Sequence, residues 1–175
     1  MGIVKSRQSA AAYDDEFKLA KAAGIDAFAL NMGPDVDNTQ LGFAYEGASS
    51  AGIKVFISFD FNDGLFSIGD PSAVGDRIKT FKDHPAQLKI DNRPFVSTFA
   101  GPGLNVAAVE AAAGADIYFL PNWYVGSDKT GTDGLFNCEP DLFSRIFESL
   151  LTSYPYRVRM ADRRDERTRD DWTRQ

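Results

Sequence analysis

Helical stripes and short apolar runs alternate along the first three quarters of the chain. Residues 13–23 combine early acidic residues with apolar residues at helical spacing, Gly24 follows as a helix stop, and the apolar run 26–31 comes directly after. The same order recurs as a helical stripe over 39–51, a glycine and the apolar run 54–60. Strands that alternate with helices are typical of a parallel sheet with crossover helices, so the pattern predicts an α/β fold built from a repeated unit.

The middle of the chain continues this unit. Asp70 followed by Pro71 is typical of a helix start, and the helix is predicted to run to about Asp83. The apolar run 95–100 predicts a third strand. The remaining predicted elements are a helix over 104–113, a fourth strand over 116–120 and a candidate fifth strand over 134–137. The polar segment 121–132 is long enough to be a functional loop.

Polar residues stand where the predicted strands end. Asn31 closes the first strand, Asp60 closes the second, and Asn122 and Trp123 follow the fourth. In a parallel α/β barrel the functional groups gather at the carboxyl ends of the strands, so these residues form the candidate site. Two local alternatives remain open. Asn31 is also suited to a turn before Met32, and Asp60 to a helix cap or an ion pair with a neighbouring cation.

Composition narrows the chemistry. With 175 residues and 43% hydrophobic content the chain is expected to form a globular domain, and its formal charge of -6 argues against a nucleic-acid partner because phosphate binding needs a clustered basic face. The single cysteine, Cys138, and the single histidine, His84, form no metal-ligand cluster, so neither a metal nor another cofactor is predicted. The first residues lack the apolar core of a signal peptide, and no apolar stretch reaches the roughly 18 residues of a membrane span. The sequence therefore predicts no signal peptide and no membrane partner for this chain.

The end of the chain differs in composition. From residue 157 to residue 175 there are seven arginines, no lysine and five acidic residues, whereas the preceding 156 residues hold four arginines and eight lysines. We expect a barrel-like part over 1–137, an uncertain helical segment over 138–156 and an arginine-rich, disordered tail over 157–175. A basic binding arm is the alternative for the tail, and its interspersed acids weigh against that role.

Five phrases in the first 137 residues form an ordered set. They are residues 19–31, ending in Asp-Ala-Phe-Ala-Leu-Asn; 54–60, Lys-Val-Phe-Ile-Ser-Phe-Asp; 84–99, which contains His-Pro-Ala-Gln-Leu-Lys and Arg-Pro-Phe-Val-Ser-Thr-Phe; 119–123, Phe-Leu-Pro-Asn-Trp; and 133–137, Asp-Gly-Leu-Phe-Asn. In this order they resemble glycoside hydrolase family 71, the fungal α-1,3-glucanases also called mutanases. The resemblance covers roughly residues 2–137.

This resemblance implies a (β/α)8 catalytic domain of the TIM-barrel type, which cleaves internal α-1,3-glucosidic bonds with inversion and works outside the cell or in the cell wall. A complete barrel takes about 250 residues, so the chain is expected to be a partial barrel without its last units. The family's first strand would begin before Gly2, and only Gly2 to Val4 remain of it. After Asn137, the sequence Cys138-Glu-Pro-Asp replaces a tryptophan-rich continuation, which favours a shifted reading frame or a retained intron over a new domain.

The resemblance also bears on the catalytic carboxylates. The later family motif that would carry them has no counterpart here, so we expect a fragment with little or no activity. Inverting hydrolysis needs two carboxyl groups about 6.5–9.5 Å apart, and Asp60 and Asp133 are the best remaining candidates. Otherwise both would accept hydrogen bonds from sugar hydroxyls. Asn31 and Asn122 would bind hydroxyls as well, and the indole of Trp123 would cover an apolar sugar face or merely seal the barrel.

Three hypotheses of function follow. The first is a glycoside hydrolase fragment whose partner is an α-1,3-glucan polysaccharide. The alternative is a non-catalytic carbohydrate-binding fragment that uses Trp123, Asn122 and Asp60 without hydrolysis. The third is a translation product without a selected function; another barrel enzyme, such as a sugar isomerase, is less favoured because no metal or phosphate site is recognised.

Overall fold

The computed structural model describes residues 7–33, 38–62, 64–124 and 126–136. Within them, four helices and five strands follow one another as α1 (Ala11–Ala22), β1 (Ala27–Met32), α2 (Asn38–Ala51), β2 (Lys54–Asp60), α3 (Pro71–Phe81), β3 (Lys89–Ile90), β4 (Arg93–Phe99), α4 (Val106–Ala113) and β5 (Tyr118–Phe119). The predicted alternation of helices and strands is confirmed. Of the candidate fifth strand, residues 134–136 form no strand; residue 137, the expected strand remnant 2–4 and the predicted segments 138–156 and 157–175 lie outside the described residues.

Four of these strands lie side by side in parallel. β1 pairs with β2 along its whole length, whereas β2 pairs with β4 only over its last three residues, ending with Asp60 opposite Phe99. On the other edge of β4, Phe95 and Val96 pair with β5. This mixed α/β architecture with a parallel sheet fits part of a (β/α)8 barrel. The described strands form an open sheet, in which no pairing of β1 with β5 closes a ring.

A short antiparallel strand separates β2 from β4 at their amino ends. The segment that contains β3 lies beside β2, because the Val55 N–H donates to Ala86 O at 2.9 Å and the Leu88 N–H donates to Val55 O at 2.8 Å. On its other side, the Phe95 N–H donates to Leu88 O at 2.8 Å. The sequence predicted no strand between the helix that ends near Asp83 and the strand over 95–100, and the structure adds the two-residue strand β3 there.

The buried side chain of Gln87 ties this segment to its surroundings. Its amide donates to the carbonyls of Leu88 at 2.8 Å and Phe95 at 3.0 Å, and its oxygen accepts the Tyr45 hydroxyl at 2.6 Å. Tyr45 is fully buried on α2 and stacks on Phe81 of α3, with ring centroids 4.5 Å apart. Because buried polar groups without partners are costly, this network fixes the position of β3.

Helix boundaries follow from local chemistry. Asp70 caps α3 by accepting the Ala73 N–H at 3.2 Å, and Pro71 is the first helical residue. After α1, Gly24 has a φ of 81°, a left-handed conformation that residues with a Cβ adopt only at a cost. The predicted helix start at Asp70 and Pro71 and the predicted helix stop at Gly24 are both confirmed.

Glycines allow the helices to pack in close pairs. A Cβ added to Gly47 of α2 would lie 2.8 Å from Ala10 O and 2.9 Å from Tyr13 Cβ, at α1. A Cβ added to Gly75 of α3 would lie 2.5 Å from Ala112 Cβ on α4. These contacts are too short for carbon atoms, so the two glycines set how closely α1 approaches α2 and α3 approaches α4.

The two faces of the sheet are covered differently. The helices cover one face, and alternate strand residues such as Ile57 and Val96 are buried in the core beneath them. The residues between them point to the other face, where Phe56, Phe95 and Leu120 form a separate, smaller cluster. In a barrel this second face would point to the interior, and it carries the candidate site at its carboxyl edge.

Candidate functional site

Asn31 and Asp60 lie in contact at the carboxyl edge of the sheet. Asn31 is the penultimate residue of β1, Asp60 is the last residue of β2, and Asn31 Nδ2 donates to Asp60 Oδ2 at 3.3 Å. Both point to the face that the helices leave uncovered, because their neighbours Leu30, Met32 and Phe59 pack in the helix-covered core. Asn31 is exposed and Asp60 is half-buried, so a ligand in solvent can reach both.

The loop after β2 orients the Asp60 carboxylate. The Asn62 N–H donates to Asp60 Oδ1 at 3.0 Å, in a turn of the kind that aspartate side chains favour. Asp60 therefore serves the local turn and also stands at the edge. With one oxygen bound to Asn31 and the other to a backbone amide, the carboxylate is held in place but keeps lone pairs for a hydroxyl donor.

Asp60, Phe99 and Asn122 form a row across this edge, which we call the edge row. Asp60 lies opposite Phe99 in the pairing of β2 with β4, and Phe99 forms a parallel bridge with Asn122 after β5. Residues opposite each other in neighbouring strands point to the same face, and the strands are about 4.8 Å apart. The edge row thus places a carboxylate, an aromatic ring and an amide next to one another.

Phe99 is a member of the edge row that the sequence analysis missed. Its ring is exposed, as is that of Tyr124 two residues after Asn122. The signal that could have identified it is the period of two along β4, which puts Phe99 on the same face as Phe95 and Ser97. A phenylalanine at the carboxyl end of that face is placed like the polar candidates.

Trp123 does not present its ring at this edge. It is 2% exposed and packs edge-on against Phe119, with ring centroids 5.8 Å apart. Since Asn122 and Trp123 are consecutive in an extended segment, their side chains point to opposite faces, and Trp123 lies in the helix-covered core. The expectation that its indole covers a sugar face does not fit this structure, in which Trp123 seals the core.

The indole of Trp123 stabilises, by hydrogen bonds, the turn that follows β4. Ala100 there has a φ of 60°, in the left-handed region that alanine enters at a cost of about 1–2 kcal/mol. Trp123 Nε1 donates to Ala100 O at 2.7 Å and to Thr98 Oγ1 at 3.1 Å, and Thr98 Oγ1 donates to Ala100 O at 2.9 Å. These bonds hold the residue that follows Phe99 in its strained conformation.

Asp133 lies away from the carboxyl edge. Its carboxylate pairs with Arg93, the first residue of β4, at 2.5 and 3.2 Å, and it accepts the Phe119 N–H at 2.9 Å. Phe119 pairs with Val96, which precedes Phe99 by three residues, and Asp60 pairs with Phe99 on the other side of β4. With ordinary spacings along and between strands, the backbones at Phe119 and Asp60 are therefore roughly 14 Å apart. Asp60 and Asp133 therefore do not form the carboxylate pair, about 6.5–9.5 Å apart, that inverting hydrolysis needs.

The Arg93–Asp133 ion pair has a structural role. Arg93 also donates to Ile117 O at 3.0 Å, and its guanidinium carbon lies 4.8 Å from the ring centre of Tyr118. The hydrogen-bonded Asp133 carboxylate raises the pKa of Arg93. The pair ties the first residue of β4 to β5 and to the segment that follows β5.

His84 lies near the amino end of the sheet, opposite the edge row. Its Nδ1 accepts the Ala86 N–H at 3.1 Å, and its Nε2 is 3.4 Å from Glu46 Oε1, which fits a structural residue. Within the described ranges, no group of three or more histidine, cysteine, aspartate or glutamate side chains is arranged to hold a metal ion. The same residues include no helix that is long and apolar enough to cross a membrane.

Comparison with known proteins finds a family and several fungal relatives to which this chain is similar. The model of glycosyl hydrolase family 71 matches residues 1–140, most of the chain. A mutanase of Penicillium rubens is 36% identical over 145 residues, which cover 78% of this chain and 32% of the relative. A glucan endo-1,3-alpha-glucosidase of Schizosaccharomyces pombe is 38% identical over 127 residues, 63% of this chain and 29% of the relative. An ascus wall endo-1,3-alpha-glucanase of the same organism is 24% identical over 125 residues, with the same coverage of 63% and 29%; the chain thus spans about a third of the length of these relatives.

Proposed function

We propose that this chain, which belongs to glycosyl hydrolase family 71, supplies part of the binding site for an α-1,3-glucan polysaccharide. The observation that carries the proposal is the contact between Asn31 and Asp60 on the sheet face that the helices leave uncovered. The names of the relatives, mutanase and endo-1,3-alpha-glucanase, support this substrate. For a protein of the relatives' full length, we propose cleavage of internal α-1,3-glucosidic bonds with inversion, outside the cell or in the cell wall.

The groups at the edge suit a neutral sugar. A sugar hydroxyl both donates and accepts hydrogen bonds, and the Asp60 carboxylate accepts them while the amides of Asn31 and Asn122 do both. The formal net charge of -6 would repel a phosphorylated ligand but leaves a neutral polymer unaffected. Neutral carbohydrate is therefore the ligand class that the edge favours.

Asp60 is the carboxylate that we propose contacts the glucan. Hydrolysis needs a second carboxyl group, and Asp133 is bound to Arg93 at the other end of β4. For the described residues by themselves, we therefore propose that Asp60 accepts a hydrogen bond from a sugar hydroxyl and does not act as a catalytic acid or base. This observation also favours the second candidate function, a non-catalytic fragment that binds carbohydrate without cleaving it.

Co-sedimentation with insoluble α-1,3-glucan tests the proposal, with insoluble β-1,3-glucan as the linkage control. Asp60→Asn keeps the size of the side chain and removes its charge, and we expect it to weaken binding roughly tenfold or more, as for a lost hydrogen bond to a charged group. Asp76→Asn is the matched control, because Asp76 is exposed on α3 behind the opposite face; its binding should equal that of the wild-type chain.

The possible results separate the two parts of the proposal. Wild-type protein that does not bind α-1,3-glucan would contradict the substrate, whereas equal binding by the folded Asp60→Asn variant would contradict the role of the edge. Measurement of reducing sugars released from the glucan then distinguishes hydrolysis from binding without cleavage.

A further inference from the structure

Exposed apolar side chains gather beyond the carboxyl ends of the strands. Among the described residues, the large apolar side chains that are exposed are Leu19, Leu65, Ile68, Phe99 and Tyr124. Leu19 lies on α1, and the other four lie at the end of β4 or in the segments that follow β2 and β5. Exposed apolar side chains that follow strand ends are candidates for ligand contact, and Phe99 is the one that lies within the edge row.

Phe99 occupies the middle of the edge row, and its side chain is 45% exposed. Asp60 stands on one side of it and Asn122 on the other, each about 4.8 Å away between strands and on the same face. A pyranose ring has an apolar face of C–H groups and hydroxyls around its perimeter. An aromatic ring flanked by hydrogen-bonding groups complements both parts of such a ligand.

The backbone on both sides of Phe99 is held firmly. The Phe61 N–H donates to Phe99 O at 3.0 Å, and the Ala100 N–H donates to Asn122 O at 3.3 Å. The Trp123 indole stabilises the strained turn at Ala100, and this turn sets the direction of the backbone after Phe99. Because the backbone that carries the ring is already ordered, ligand binding pays little entropy for ordering this part of the chain, which favours affinity.

We propose that Phe99 is the residue on which a glucosyl unit stacks, while Asp60 and Asn122 bind the hydroxyls at its two sides. This inference rests on the proposed function and adds a specificity-determining residue to it. Phe99 takes the aromatic role that the sequence assigned to Trp123, whose ring is buried. Tyr124 is more exposed, but it follows the last bridged residue by two positions and stands outside the edge row.

Two substitutions of Phe99 separate stacking from apolar volume. Phe99→Leu keeps an apolar side chain and removes the ring face, and we expect it to weaken α-1,3-glucan binding roughly threefold to tenfold, as for a lost aromatic contact. Phe99→Tyr keeps the ring, and its affinity should stay within about twofold of wild type. Leu19→Ala on α1 is the matched control for loss of an exposed apolar side chain and should bind like wild type.

Co-sedimentation with insoluble α-1,3-glucan gives the affinities, and urea unfolding followed by circular dichroism compares the stability of the variants. Leucine and tyrosine variants that both bind like wild type would overturn the role of Phe99 and leave the glucan proposal standing. An equal loss of binding in both, with reduced stability, would assign Phe99 to packing and also overturn stacking. A wild-type chain that does not bind would overturn both proposals.

A fluorescent variant gives an independent measurement. Phe99→Trp places an exposed indole in the edge row, whereas the native Trp123 indole is buried. The second native tryptophan, Trp172, lies outside the described residues and is replaced by phenylalanine in both proteins that are compared. Stacking on a soluble α-1,3-linked glucose oligosaccharide should shift the emission of this variant to shorter wavelength, and the wild-type spectrum should change less. Emission that stays unchanged at oligosaccharide concentrations that saturate binding would overturn the stacking role.

Discussion

Replacing Tyr45 by phenylalanine removes one oxygen atom from the core and leaves Gln87 Oε1 without the donor that lies 2.6 Å away. Gln87 is 5% exposed, so water does not readily take the place of the hydroxyl. An unsatisfied buried acceptor costs about 1–3 kcal/mol, while the stacking on Phe81 is retained. We therefore expect Tyr45→Phe to lower the free energy of unfolding by about 2 kcal/mol.

Tyr13→Phe is the matched control. The Tyr13 hydroxyl on α1 donates to Gln40 Oε1 at 3.0 Å, and the tyrosine ring is as deeply buried as that of Tyr45. Gln40 is only partly buried, however, so water can replace the lost hydroxyl. The same chemical change should cost less than about 1 kcal/mol here.

Alkaline pH provides a second test of the same residue. Burial raises the pKa of Tyr45 far above its usual value, so the folded protein keeps the phenol proton that the unfolded chain loses near pH 10. Because the folded state then binds more protons than the unfolded state, stability falls as the pH rises through about 10. Tyr45→Phe removes this contribution and should lose less stability than wild type between about pH 9 and 11.

Urea unfolding followed by far-UV circular dichroism measures both effects, with midpoints and slopes compared between variants. A cost of Tyr45→Phe no greater than that of Tyr13→Phe at neutral pH would refute the inference that Gln87 depends on the Tyr45 hydroxyl. Equal losses of stability in wild type and Tyr45→Phe at alkaline pH would refute the inference that the folded protein retains the Tyr45 proton.

Two further predictions concern the helix contacts and the turn after β4. Gly75→Ala should destabilise the protein by about 1–3 kcal/mol, because its Cβ would lie 2.5 Å from Ala112 Cβ. The control Gly42→Ala adds a Cβ with no atom within 4 Å and should be neutral or stabilise by up to about 1 kcal/mol. Equal unfolding midpoints of the two variants in urea would contradict the close approach of α3 and α4. Trp123→Phe keeps an aromatic ring but removes the donor to Ala100, and we expect a loss of about 2 kcal/mol from the hydrogen bond and the lost volume, with weaker glucan co-sedimentation. Trp123→Phe protein as stable as wild type would contradict the inference that Trp123 stabilises the turn at Ala100.

The order of elements could be predicted because each boundary has a local chemical cause. Gly24 follows α1, Asp70 and Pro71 start α3, and apolar runs mark the long strands. β3 could not be predicted in this way, since it has two residues and depends on the contacts of Gln87 with two neighbouring segments. Pairing over such short stretches is decided by tertiary contacts rather than by sequence period.

Position at a strand end predicted the candidate site correctly only for residues that the period of two also places on the uncovered face of the sheet. Asn31 and Asp60 each alternate with core residues of their own strand, and the structure brings them into contact. Trp123 directly follows Asn122, so both could not face the same side. Asp133 precedes the run 134–137 instead of closing a strand, so the reasoning from carboxyl ends did not apply to it.

The two-residue strand β3 also determines the width of the sheet at each end. At the amino end, Val55 and Phe95 are separated by the segment that contains β3, whereas at the carboxyl end Asp60 and Phe99 are direct neighbours. The sheet therefore tapers by one strand spacing, about 5 Å, from its base to the edge row. Because β2 and β4 pair directly at Asp60 and Phe99, we expect insertions or deletions around β3 to change the width of the base more than the positions of the groups at the edge.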